Sequence, residues 1–262
     1  FPTRRSSDLR YPGGADSERR FIMDSRVPEI RKHLKKKLDA YRYEHTLGVE
    51  FTCQALAMRY GYDLDKADLA GLLHDSAKRF ENPVMLQKCL DRGIPVTAEE
   101  ERDPSLLHAK LGAWMAENKY GVDDPEILSA ITCHTTGKPG MSLLDKILYV
   151  ADYIEPRRSK AANLPEMRKL AFIDLDQACF EIMESILEYL KSTGCQIDPM
   201  TEAACQDMRR VVSEKQKETA GAAGETDQDK EEQSVESVKR NGKACSRGFG
   251  REKRRRCKNY RH

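Results

Sequence analysis

The chain has 262 residues, with 45 Lys and Arg against 43 Asp and Glu, so its overall charge makes no case for a nucleic-acid or anionic-membrane binder. No apolar run nears the roughly 18 residues that a membrane-spanning helix needs, and the start lacks the apolar core of a secretory signal. The eight cysteines form no Cys-x-x-Cys pair, so reduced thiols, a cytoplasmic address and no membrane partner are expected.

In chain order, Phe1–Leu9 (FPTRRSSDL) resembles the translated reading of a sequencing-library adapter, and residues 1–22 are expected to be an artefact or a disordered leader. From Val27 apolar residues recur at helical spacing, first as Val27, Ile30, Leu34, Leu38 and Tyr41, then as Val49, Cys53, Leu56 and Tyr60. Further helices are predicted over Asp65–Asp75, Pro83–Asp91, Pro104–Lys119, Asp124–Cys133, Ser142–Glu155 and Glu166–Lys191. Prolines 83, 104 and 125 near the starts, Ser142 as an N-cap, and glycines 61, 93, 121 and 194 at the ends fit this division. No run has a period of two. The expected fold is all-α, one domain over residues 23–212, in whose core Trp114, Leu111, Met115, Met167, Met183 and Met200 pack rather than serve chemistry.

Residues 213–237 hold eight acids against three lysines, and residues 238–262 hold eleven Lys or Arg against Glu252 alone. This leaves a mildly acidic body and a tail, 213–262, without the apolar density to offset its ordering entropy, so the tail is expected to be disordered. Its basic end, Arg251–Arg261, could attract RNA, but such runs are more often solvated.

There are six histidines. His33 and His262 stand apart, whereas His45, His74, His108 and His134 sit at predicted helices or their ends. A lone histidine with apolar flanks is usually a hydrogen-bonded core residue. Four of them, with Asp75 beside His74 and with Asp152, are better explained by one shared site. Asp152 follows the stripe Leu144, Ile147, Leu148 and Ala151, so its carboxylate lies near the buried side of its helix and requires a cation or several donors. Pairing with Lys78 or Arg158 would meet that need but leave the histidines unexplained. Imidazoles together with carboxylates suit Mn, Fe, Co, Ni or Zn.

The His45, His74-Asp75, Asp152 order resembles the HD superfamily of metal-dependent phosphohydrolases. Within it, Tyr-Glu-His-Thr-Leu-Gly-Val (43–49), Leu-Leu-His-Asp-Ser-Ala-Lys (72–78), His-Thr-Thr-Gly-Lys-Pro-Gly-Met-Ser (134–142), Ala-Asp-Tyr-Ile-Glu-Pro (151–156) and Ile-Asp-Pro (197–199) resemble the YqeK family of symmetrical bis(5'-nucleosyl)-tetraphosphatases. The resemblance runs in order from about Val27 to Pro199. It implies an HD-domain helical bundle with two divalent transition-metal ions, Fe first, with Mn, Co or Ni as alternatives. It also implies a dinucleoside polyphosphate substrate, diadenosine tetraphosphate, cut into two ADP by a hydroxide shared between the metals.

On that reading His45, His74, Asp75 and Asp152 hold one ion, and Asp75, His108 and His134 the other. Lys78, one turn after His74, is the candidate for catalytic charge compensation. Candidates for holding phosphates are Lys78, Thr135, Thr136, Lys138 and Arg158, with Arg42 either reaching substrate or pairing with Asp39 or Glu44. Family members usually carry Gly-Arg or Asn-Arg after Glu-Pro; here the pair is Arg157-Arg158, and the role is carried only to Arg158. The alternatives are another HD-type nucleotide phosphohydrolase or phosphodiesterase, and a nucleotide-sensing protein whose tail engages RNA. A homodimer is compatible with the sequence, which does not set the oligomeric state.

Overall fold

The computed structural model describes residues 24–219. The expected leader and the tail from residue 220 onward, with its basic run, lie outside the described residues. In order the helices are α1 (Val27–Lys37), α2 (Ala40–Tyr60), α3 (Leu64–Leu73), α4 (Asn82–Leu90), α5 (Ala98–Arg102), a 3-10 turn (Pro104–Leu106), α6 (Leu107–Tyr120), α7 (Pro125–Cys133), α8 (Leu143–Ile154), α9 (Leu164–Leu170) and α10 (Leu175–Thr193). A further helix, α11, runs over 199–219. No strand occurs among the described residues, and no helix there is long and apolar enough to cross a membrane. The chain divides into two compact units after Arg210, and the site described below lies in the first.

Local chemistry sets most boundaries. Asp39 and Asp63 accept backbone N–H groups at the starts of α2 and α3, and Ser142 forms a reciprocal capping box with Asp145 at the start of α8. Three expectations change. The helix expected over Glu166–Lys191 is two, because Asp174 caps a new start by accepting from Asp176 and Gln177 after a turn at 171–173. The short α5 was not expected, although its Thr97–Glu100 capping box is legible as Thr-x-x-Glu. Residues 213–219, expected to be disordered, continue α11.

The main core joins α1, α2, α3, α7, α8 and α10 through side chains such as Leu34, Leu56, Leu72, Ile131, Leu148 and Ile182. A smaller cluster of Met85, Cys89, Leu107, Leu111 and Met115, with Trp114 packed against it, seats α4 on α6. Met167 and Met183 are buried as expected, but Met200 is 46% exposed and belongs to no core.

The closest seam is between α2 and α3. A Cβ on Gly71 would come within 2.7 Å of the Glu50 Cα, so no larger residue fits without moving a backbone. Beside this seam the fully buried Glu50 takes a guanidinium hydrogen bond from Arg31 and an ion pair at 2.8 Å. Burial and the neighbouring Asp68 carboxylate outweigh Arg31 and push the Glu50 pKa up to about 8.

Two outcomes follow. Gly71→Ala forces two helices apart and should destabilise the protein by about 1–3 kcal/mol in chemical denaturation; an unchanged midpoint would show that the seam yields freely. Glu50 retains its proton in the folded chain where the unfolded chain has released it, so its contribution to stability declines as pH rises from about 4.5 to about 8. Denaturation midpoints across that window should fall less steeply for Glu50→Gln than for the parent chain.

Candidate metal centre

Five helices or their ends supply the six expected ligands. His45 lies in the second turn of α2, His74 caps the C-terminus of α3 with Asp75 next to it, His108 is in the first turn of α6, His134 caps the C-terminus of α7, and Asp152 is near the end of α8. All six come together. Asp75 Oδ2 lies 3.7 Å from His45 Nε2 and 3.6 Å from His74 Nε2, while Asp75 Oδ1 lies 3.5 Å from His108 Nε2 and 3.7 Å from His134 Nε2. Asp152 Oδ1 completes the other end, 3.1 Å from His45 Nε2 and 4.0 Å from His74 Nε2. All but Asp152 are buried.

The imidazoles are oriented by their other nitrogens. His74 Nδ1 donates to the Gly71 carbonyl at 2.7 Å, His134 Nδ1 to the Ile131 carbonyl at 2.7 Å, and His108 Nδ1 to the Ser105 carbonyl at 2.5 Å. His45 Nδ1 donates to the Glu155 carboxylate at 3.1 Å. With the proton held on Nδ1, each Nε2 presents a lone pair to the cluster, the tautomer that a metal takes.

The donor set fits a metal on two counts. His74 Nε2 is buried without a hydrogen-bond partner. His108 Nε2 and His134 Nε2 stand 3.1 Å apart, where two lone pairs repel unless a cation or a proton offsets them. Ligand atoms of His45, His74 and Asp152 lie within 4.8 Å of one another, as do those of His74, Asp75 and His134, so buried His and Asp groups suited to a divalent metal are present and His74 serves both groups.

Electrostatics follow from burial and proximity. Burial lowers the His74 pKa to about 4, and burial with the adjacent His134 lowers that of His108 to about 3, which keeps both neutral. Burial also opposes charge on His45, but the Asp152 and Glu155 carboxylates outweigh it and its pKa is raised. Asp75 and Asp152 resist the upward push of burial and stay well below the ordinary carboxylate range, Asp75 through His74 and its other imidazole neighbours, Asp152 through His45, His74 and Arg158.

The expected phosphate contacts separate. Arg42 Nη1 holds Asp75 Oδ2 at 2.7 Å and Arg158 Nη2 holds Asp152 Oδ1 at 2.8 Å, both at the partly open side of the cluster. Neither Asp39 nor Glu44 takes the Arg42 guanidinium; Glu44 pairs with Arg157 at 3.2 Å. Thr135 Oγ1 is 3.2 Å from His108 Nε2. Lys78 is half-buried, and burial lowers its pKa against the pull of Asp75.

Thr136 and Lys138 have partners within the fold. The Thr136 hydroxyl donates to the Gly137 carbonyl at 2.9 Å, a turn contact. Lys138 Nζ pairs with the buried Asp145 at 3.0 Å and with the Ser129 hydroxyl, and Asp145 is seven residues, about 10 Å of helix, before Asp152. Glu155 had no assigned role. Its signal was the i, i+3 spacing from Asp152, which places both carboxylates on one side of the helix end.

Residues 42–157 match the HD domain family. The chain is 40% identical over 168 residues to the symmetrical bis(5'-nucleosyl)-tetraphosphatase of Bacillus subtilis (strain 168), covering 64% of this chain and 89% of the relative. To the protein of the same name from Halalkalibacterium halodurans it is 38% identical over 174 residues, covering 65% and 90%. Among solved structures, a Clostridium acetobutylicum protein described as a "predicted HD superfamily hydrolase involved in NAD metabolism" superposes with a TM-score of 0.68 at 37% identity, covering 70% of this chain and 96% of that one.

Glu155→Gln keeps an acceptor for His45 Nδ1–H but removes the charge that makes the imidazole more basic. Metal affinity in a chelator-competition titration should fall about 10–100-fold with the helical content unchanged; unaltered affinity would mean that Glu155 serves only the Arg157 backbone N–H, which donates to its Oε2 at 2.7 Å.

Proposed function

Because the chain belongs to the HD-domain family of symmetrical bis(5'-nucleosyl)-tetraphosphatases, we propose that it hydrolyses diadenosine tetraphosphate at the central bridge of the polyphosphate. Water adds to one of the two inner phosphorus atoms, the bond from that phosphorus to the bridging oxygen breaks, and two ADP leave. The observation that carries this reading is the convergence of four Nε2 atoms and two carboxylates on one partly open cluster.

The proposed cofactors are two divalent transition-metal ions, Fe first, with Mn, Co or Ni as alternatives. His45, His74, Asp75 and Asp152 would hold one, and Asp75, His108 and His134 the other. When bound, such ions acidify water and offset charge on the attacking and leaving oxygens.

The chain's own residues do the remaining work. Nδ1 donation to Gly71, Ser105, Ile131 and Glu155 keeps the four rings from turning away from the cluster. Arg42 and Arg158, 31% and 43% exposed along their side chains, can turn spare guanidinium N–H groups toward phosphate oxygens while holding the carboxylates. Lys78, half-buried and in the field of Asp75, would offset charge on the departing ADP. Thr135 offers a hydroxyl at the His108 side.

Chromatography of the products after incubation with Fe(II), Mn, Co or Ni under anaerobic conditions should show ADP alone. A mixture of AMP and ATP would refute symmetrical cleavage and point to another nucleotide hydrolase. Asp75→Ala removes the carboxylate shared by four imidazoles, and turnover should fall at least about 100-fold, the loss of a few kcal/mol of charge stabilisation, together with bound metal in elemental analysis. Full turnover in that variant would defeat the ligand assignment.

A further inference from the structure

A cavity of about 980 Å³ lies between α1, the segment after α3 and the end of α6. Its α6 wall is set back from the metal centre, while Arg79 and Phe80 directly follow Lys78. His108 and Tyr120 are twelve residues apart on α6, about 18 Å along its axis, and Tyr120 lines this cavity.

Its walls are strongly basic on a mildly acidic body. Arg26, Lys32, Lys36, Lys37, Arg79 and Lys119 line it against one carboxylate, Glu29. Arg26 is used within the fold, paired with Asp24 at 2.6 Å and donating to the Tyr120 and Gly121 carbonyls. Lys32 reaches Glu29 at 3.7 Å. Lys36, Lys37, Arg79 and Lys119 have no carboxylate partner among the described residues.

The helix dipole accounts for lysines in the last turns of α1 and α6. It does not account for Arg79, nor for the meeting of three elements at one hollow. The crowding registers on the groups themselves. Burial lowers the His33 pKa, and Arg79, Lys37, Lys119 and Lys36 lower it further; burial also lowers that of Lys119, with Arg79, Arg92 and Lys88 adding to it.

We propose that this cavity is a second ligand site, for a small molecule that bears a polyphosphate chain. Phosphate oxygens would be met by Lys36, Lys37, Arg79 and Lys119. A concave hollow of this volume suits a small molecule, whereas a nucleic-acid strand is held along an extended groove with successive stacking platforms. The site does not depend on the reaction proposed above.

The test counts sites on the full chain by equilibrium dialysis, with inorganic triphosphate and a non-hydrolysable ATP analogue as the probes. The parent chain should bind two per chain, one at the metal centre and one here. Both Lys36→Glu with Arg79→Glu, and Lys37→Glu with Lys119→Glu, should weaken the second event at least about 10-fold, each reversal removing two of the phosphate-binding charges. Unchanged thermal melts would show that these variants fold, and the metal centre should still bind its probe. Equal binding of both probes would assign recognition to the phosphate chain, and binding of the nucleotide alone would add the base; either supports the site. Probe binding undiminished in both variants, whether the parent chain shows one site or two, or a second site occupied only by an RNA oligomer, would overturn it.

Discussion

The centre depends on where four imidazole protons sit. Each Nδ1–H is taken by a fixed acceptor, three of them backbone carbonyls three residues earlier in the chain, at Gly71, Ser105 and Ile131. Two of these lie at helix ends, where the last carbonyls have no intrahelical partner. The same ring contact therefore satisfies an orphan carbonyl and fixes the tautomer, and the inward Nε2 lone pairs are a consequence of how α3 and α7 terminate.

That arrangement explains why the helices must pack as closely as they do. His74 can sit beside His45 only if α3 approaches α2 at Gly71, the residue whose carbonyl also orients His74. On the other side, Asp145 closes the capping box of α8, accepts from Ser129 on α7 and pairs with Lys138 after α7. This ties the strut that carries His134 to the one that carries Asp152. Lys138, which reads from the sequence as a phosphate ligand, thus acts on the site through the scaffold.

The sequence made the site more legible than the fold around it. The ligands are rare residue types at unusual places, and six of them in order left few alternatives to convergence. Which ring nitrogen faces inward was hidden, because backbone carbonyls carry no sequence signature. Thr135 and Thr136 are chemically equal in the sequence and separate only once the turn directs one hydroxyl to His108 and the other to a carbonyl. The break between α9 and α10 was missed because the apolar spacing runs across Ala171 and Leu175 without a gap, while the boundary is set by the single Asp174 side chain. In α11 the apolar pattern thins after Val212, but the helix continues to residue 219.

Charge decides from which side the cluster can be reached. Its inner wall is made of deeply buried imidazoles, and desolvation holds two of them, His74 and His108, uncharged. The formal positive charge lies at the other side, on Arg42 and Arg158, the more exposed of the groups that touch the ligand carboxylates. Besides the two carboxylates those guanidiniums hold, the cluster has the half-buried Lys78 ammonium in the field of Asp75 and the buried Glu155 carboxylate against His45. The two arginine–carboxylate pairs therefore set the charge of the open side, and the desolvated imidazoles that of the inner wall.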